Sequence, residues 1–258
     1  MPVFIEDTDI GDLLKLNICQ VISEKFARLK EEAIKFRSQP VQTCHSNGVL
    51  YVNQREFACS LPDDDAISVI GTEDATTCHI LVLRNKVLIF FYFFTDEFHN
   101  QPLPISLMTA CMSDFNDVVK NGIHWPVIYG IGVDLKNGTI FPATFSDKGP
   151  DMTLRSTKTF VGDKDMMNIY DYKSRELRIK SFHYNPWPRA FLWLQQSDTV
   201  IKQNLSTSPD VEPPDFVSHV RETLKYVILH PQPGPDVFPG GQPRRYRKDG
   251  HGMWVRIE

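Results

Sequence analysis

Leu13, Leu14, Ile18, Val21, Ile22, Phe26, Leu29, Ala33 and Phe36 recur at three- and four-residue spacing, which predicts one amphipathic helix over residues 11–37. Beyond it the apolar runs shorten. Strands are expected at 49–52, 66–70 and 78–84, interrupted by the polar turn Pro62-Asp63-Asp64-Asp65. Pro126 to Val133 and Thr139 to Phe145 flank Asp134-Leu135-Lys136-Asn137-Gly138, and the Asn-Gly pair signals a hairpin. A second hairpin is expected over 167–180, turning near Lys173-Ser174. Residues 213–230 read as a helix, with Pro213 and Pro214 in its first turn and Val217, Val220, Leu224, Val227 and Ile228 along one face. Pro231 to Pro243 holds five prolines and is expected to be extended, ending the compact part of the chain. Arg244 to Ile257 reads as a terminal hairpin turning at Asp249-Gly250. No internal repeat or long linker interrupts the series. The expectation is one α+β domain over 1–258, largely antiparallel sheets covered by helices.

A chain of 258 residues with 41% hydrophobic and 23% charged residues has ample material for a buried core. Net charge is −4 and the pI about 6.1. The one basic cluster, Arg244-Arg245-Tyr246-Arg247-Lys248, reads as a solvated hairpin face, so no nucleic-acid partner is expected. Val87 to Phe94 is apolar throughout but far short of the roughly 20 residues that span a bilayer, and no membrane anchor is expected. Five cysteines, an odd number with no CxxC spacing, fit a reducing intracellular compartment. Cys78-His79 and Cys44-His45 lack a second ligand pair, so no metal site is expected.

The stretch Glu73-Asp74-Ala75-Thr76-Thr77-Cys78-His79 sets a thiol among hydroxyl and acidic residues at the head of an apolar run. Packing as a small hydrophobe is the ordinary role of such a cysteine. The surrounding blocks give it another. Val49-Leu50-Tyr51-Val52-Asn53-Gln54-Arg55-Glu56, Ile67 to Gly71, Asp74 to Ile80, Trp125 to Ile131, Ile169-Tyr170-Asp171 and Glu176 to Ile179 follow in order. Asn204-Leu205-Ser206-Thr207-Ser208-Pro209, Glu212-Pro213-Pro214 and Phe216-Val217 close the series. Together they resemble the protein N-terminal asparagine amidohydrolases, enzymes that deamidate a protein's N-terminal Asn to Asp and so feed degradation through ubiquitin-dependent N-degrons. The resemblance implies an α-β-β sandwich, a monomer in the cytoplasm and nucleus, and a substrate that is a protein or peptide beginning with Asn.

It also makes Cys78 the nucleophile. Hydrolysing a carboxamide needs a nucleophile, a proton for the departing ammonia and support for an oxyanion, but no cofactor or metal. A thiol of pKa about 8.5 is only a few per cent ionised at neutral pH, so Cys78 requires activation. Backbone N–H groups around Thr77 and Cys78 are candidates for the oxyanion hole, while Thr76 and Thr77 also suit a plain turn. The substrate's α-ammonium calls for a carboxylate. Glu212 matches the family pattern there, with helix N-terminal charge as its other possible role. Asp74 is a second candidate, with turn capping as its other role. Pro2 also matches, and loss of Met1 would expose its imino group to the site.

The resemblance lapses over 85–105. Relatives are expected to carry the thiol's partner histidine at the end of the strand after the cysteine, then a further sheet-and-helix segment with a Gly-Gly turn. Here the chain reads Asn85-Lys86-Val87-Leu88-Ile89-Phe90-Phe91-Tyr92-Phe93-Phe94, with no histidine, as in a splice variant or a frame running into an intron. His79, His99 and His124 are the substitutes near this region. His79 would face away from Cys78 on a strand, because successive side chains alternate. Without a partner histidine the chain would be catalytically impaired, or a binder of protein N-termini.

Overall fold

A computed structural model describes residues 4–5, 8–9, 27–76, 78, 80–84, 89–93 and 116–257. Strands β1 (Phe4–Ile5) and β2 (Thr8–Asp9) pair, and helix α1 spans Ala27–Arg37. The rest of the predicted first helix, 11–26, lies outside the described residues. Then come β3 (Gln42–Cys44), β4 (Val49–Tyr51), β5 (Glu56–Ser60), β6 (Val69–Thr72), β7 (Ile80–Arg84) and β8 (Ile89–Phe93). They are followed by β9 (Asp117–Lys120), β10 (Ile123–Pro126), β11 (Ile131–Asp134) and β12 (Ile140–Phe145). Helix α2 (Met152–Phe160) precedes β13 (Met167–Asn168), β14 (Tyr170–Asp171) and β15 (Glu176–Ile179). Helices α3 (Ala190–Leu194), α4 (Asp198–Leu205), α5 (Phe216–Leu229) and α6 (Pro233–Val237) lead to the final hairpin of β16 (Arg244–Lys248) and β17 (Trp254–Ile257).

The class is α+β. Three sheets carry the architecture, in the orders β3-β12-β11-β6-β4, β13-β5-β8-β7 and β14-β15-β16-β17. The pairs β3–β12, β4–β6 and β5–β13 are parallel, and the remaining described pairs antiparallel. Side chains from all three sheets meet in one core, with Ile70 and Val133 from the first, Ala58 and Met167 from the second, and Leu177 and Tyr246 from the third. A second cluster joins the helices through Ala190, Ile201, Val220 and Leu224.

The predicted hairpin at Asp134–Gly138 forms: Asp134 N donates to Thr139 O, and Gly138 takes φ of 68°. The hairpin turning through Lys173-Ser174 forms too, as β14 and β15. Other expectations change. Residues 126–133 are not one strand, because Ile123–Pro126 pairs with β9 and the sheet strand begins only at Ile131. The 66–70 strand starts at Val69, since Asp64 Oδ1 accepts from the amides of Ala66 and Ile67 and holds them in a turn. Pro213 and Pro214 precede the first turn of α5, whose N-cap is Asp215, and Ile228 faces solvent rather than the buried stripe. The proline-rich stretch 231–243 is not extended. It folds into α6 and a short 3-10 turn at Pro239–Gly241, because Val237 and Phe238 are buried in the main core and draw the segment inward. Of the atypical stretch 85–105, the described part is β8, which takes a strand position between β5 and β7.

The basic cluster is not a bare cationic face. Arg245 and Arg247 donate to the Glu176 carboxylate, and Arg244 pairs with Asp151 at 2.7 Å.

Candidate active site

Cys78 sits just before β7 and lines a cavity of about 370 Å³, with walls from the 51–54 loop, residues 73–76, Lys148, α2, the 205–213 loop and α5. A larger cavity of about 570 Å³, lined among others by Lys173, Arg175, Arg247 and Lys248, shares none of these residues. Its basic side chains are largely occupied: Arg175 pairs with Asp65, Arg247 with Glu176, and Lys248 Nζ donates to the carbonyls of Ser46 and Gly252. No cysteine lines it, and Cys78 opens on the other cavity.

A buried ion pair and a half-buried lysine–carboxylate cluster support that cavity. Arg155, fully buried on α2, donates to both oxygens of Glu56, at 2.9 and 2.5 Å. It also donates to the carbonyls of Tyr51 and Lys148, at 2.8 and 2.9 Å. Glu56 Oε2 accepts from Asn53 N at 2.7 Å. The turn carrying Gln54 is therefore clamped on both sides. Lys148, in turn, lies 3.0 Å from Glu73 Oε1 and 2.5 Å from Asp74 Oδ2. Burial works against its charge, but the Tyr51 oxygen, Asp74 and Glu73 outweigh it and hold Lys148 above the ordinary lysine range. Burial pushes the Tyr51 phenol up to about 12, so it stays neutral. Glu73 is committed at its other oxygen, accepting from Thr144 Oγ1 and Phe145 N. Two carboxylates thus neutralise the one lysine, and no uncompensated cation is left from this group to draw the thiol toward thiolate.

Glu212 reaches the same cavity from the loop between α4 and α5. Its Oε1 accepts from Ser206 Oγ, and Ser208 Oγ lies 3.4 Å away. Ser208 Oγ donates to Thr76 Oγ1 at 2.7 Å, tying this loop to the segment before Cys78. Among the described residues no hydrogen bond reaches Glu212 Oε2. Asp74 also lines the cavity, but its Oδ2 is engaged by Lys148 and its φ of 63° marks a turn. The fold therefore brings Cys78, Asp74, Thr76 and Glu212 together. Pro2, Thr77, His79 and His99 lie outside the described residues. His124 does not line the cavity; it sits exposed on the β9–β10 hairpin, with Nδ1 2.5 Å from Asp117 Oδ2.

Three further residues belong to the site. Gln54 Nε2 donates to Cys78 Sγ at 3.6 Å. Lys148 lies in an ordinary Gly-Pro loop. His219 lines the cavity from α5, one turn after Asp215, whose Oδ2 is 3.4 Å from its Nε2. The available signal for His219 was its place on the polar face of the 216–229 helix, with Phe216 and Thr223 above and below it.

Comparisons with known proteins point to one family. A family model described as protein N-terminal asparagine amidohydrolase matches residues 39–90 and 87–256. The chain belongs to the protein N-terminal asparagine amidohydrolase family. The human protein of that name is 36% identical over 315 residues, covering 100% of this chain and 98% of the human one. The mouse protein is 36% identical over 281 residues, covering 89% and 90%, and the Arabidopsis thaliana protein 22% identical over 320 residues, covering 95% and 91%. This amidohydrolase-family chain is shorter than the span over which it aligns with the human protein. The family match breaks and restarts at 87–90, and the 315-residue span shared with the human protein exceeds the 258 residues present. Relatives thus hold a segment that has no counterpart here.

Proposed function

We propose that this protein hydrolyses the side-chain carboxamide of an N-terminal asparagine, with Cys78 as nucleophile, giving N-terminal Asp and ammonia. The observation that carries the reading is the meeting of Cys78 and Glu212 on one cavity in a chain of this family. Cys78 sulfur bonds to the carboxamide carbon while the C=O π pair moves onto oxygen. Collapse of that adduct breaks the C–N bond, the nitrogen leaves with an added proton as ammonia, and water then hydrolyses the thioester. Glu212 Oε2 receives the substrate's α-ammonium, which a charge-assisted bond to a carboxylate suits. His219 exchanges the protons, its imidazole oriented by Asp215. A free N-terminal Asp fits entry into ubiquitin-dependent N-degron degradation in cytoplasm and nucleus, and an α-β-β sandwich acting as a monomer remains the expected setting.

The test is ammonia release from an Asn-initiated peptide, with an N-acetylated copy and Cys78→Ala as controls. Turnover lost in both controls supports the reading; turnover surviving Cys78→Ala refutes it. The missing segment at 87–90 favours one second reading, a binder of protein N-termini without hydrolysis. Saturable binding of the same peptide by a folded chain that releases no ammonia would favour it.

A further inference from the structure

We infer that Gln54 is the oxyanion-hole donor of this site, an inference that rests on Cys78 acting as the nucleophile proposed above. Its carboxamide N–H already points at the reacting atom, with Nε2 3.6 Å from Cys78 Sγ. The side chain is exposed to the cavity rather than packed in the core, so core packing does not account for its direction. The backbone beneath it is held on every side. Gln54 O accepts from Thr159 Oγ1, Asn53 Nδ2 donates to Ser156 Oγ, and Glu56 is clamped by Arg155. Arg55 completes the turn with φ of 60°. A donor on such a fixed turn needs little reorganisation when charge develops, which is the requirement for oxyanion stabilisation.

Three other donor side chains on these walls are engaged by carboxylates. Lys148 is held by Glu73 and Asp74, and Ser206 and Ser208 face Glu212. A glutamine amide neither gains nor loses a proton near neutral pH, so its contribution is a hydrogen bond alone. When sulfur bonds to the carboxamide carbon, the oxygen that takes the π electron pair lies two bonds from sulfur. A donor resting on sulfur in the free enzyme then moves to that oxygen. When the C–N bond breaks and the electron pair returns to re-form C=O, the contact relaxes.

Gln54→Met keeps the length and removes the donor. Removing one oxyanion donor costs about 10²–10³-fold in kcat, and that loss is expected here with KM for the Asn-initiated peptide nearly unchanged and the same melting temperature. A second readout needs no turnover: an Asn-like N-terminal residue bearing an aldehyde in place of its carboxamide forms a hemithioacetal with Cys78. Its affinity should fall by a comparable factor in Gln54→Met. The pH profile of Cys78 alkylation by iodoacetamide separates the alternatives, because a loss fully explained by a raised thiol pKa would make Gln54 a thiolate stabiliser and overturn the inference. So would a Gln54→Met variant that keeps its kcat, or a wild type that binds the aldehyde no better than the variant. An aldehyde adduct weakened in Gln54→Met alongside a wild type that releases no ammonia would sustain this role while refuting the proposed activity.

Discussion

Removing the Glu56 carboxylate tests how the site is supported. In the Glu56→Leu variant, Arg155 would keep only the carbonyls of Tyr51 and Lys148 for a guanidinium with no exposure to solvent. Breaking one side of a buried pair costs about 3–5 kcal/mol, since the remaining charge is neither solvated nor paired. Against a total stability of about 5–15 kcal/mol that is a large share. At about 2–4 °C per kcal/mol for a chain of this size, the melting temperature should drop by roughly 6–20 °C. Arg155→Met should cost a similar amount, leaving Glu56 with the Asn53 amide as its described donor and orphaning two carbonyls. The double variant Glu56→Leu/Arg155→Met, with both charges gone, should be less destabilised than the sum of the two. Urea unfolding followed by fluorescence of the four tryptophans measures all three. A single variant within about 1 kcal/mol of wild type, or strictly additive effects, would refute the view that this pair is a buried, coupled clamp.

Iodoacetamide near neutral pH should label Cys78 well before Cys44 and Cys59, as mass spectrometry of digests would report; burial raises the Cys44 thiol and pushes Cys59 up to about 11, and both are buried while Cys78 is partly exposed. Equal labelling of Cys59 would contradict this packing. Glu212→Gln should raise KM for an Asn-initiated peptide by about 10–100-fold, the worth of a charged hydrogen bond of roughly 1.5–3 kcal/mol, with kcat less affected; an unchanged KM removes Glu212 as the amine anchor. Hydrogen bonds from Arg245 above all, with Arg178 and Arg247, hold the Glu176 carboxyl down to about 2 against an ordinary 4.5. Because the folded value is the lower one, the stabilisation is present above pH 4.5 and lost as pH falls toward 2. Urea midpoints measured across that window should drop in wild type and flatten in Glu176→Gln. Gly130→Ala should destabilise by on the order of 1–3 kcal/mol, an overpacking cost, because a Cβ there would lie 2.6 Å from Ala143 O and 2.7 Å from Thr72 O, and backbone cannot step aside. A melting curve matching wild type would show that the strands have room to part.

The polar and apolar spacing of residues 134–138 and 170–179 was enough to locate two hairpins, because turn chemistry is local and needs no distant partner. The 216–229 helix was legible for the same reason, although its first turn was misjudged when the prolines were counted inside it. The segment 231–243 shows the limit. Five prolines argue for extension, but burying Val237 and Phe238 against the main core outweighed that preference. Residues 126–133 look like one strand in sequence, and only pairing with β9 on one side and β6 and β12 on the other divides them.

For the site, the sequence by itself determined the candidates: a thiol in a polar setting at Cys78, a carboxylate in a proline-stiffened loop at Glu212, and a family pattern linking them. It also exposed the absence of the expected histidine after β7, since a missing residue type can be read without coordinates. Tertiary structure decided which groups share the cavity. Gln54 meets Cys78 across 24 residues, Lys148 meets Asp74 across 74 and Ser208 meets Thr76 across 132. No local rule reports such contacts, because they depend on how the sheets and helices stack around a common core, and that stacking is set by the burial of the whole chain rather than by any one segment of it.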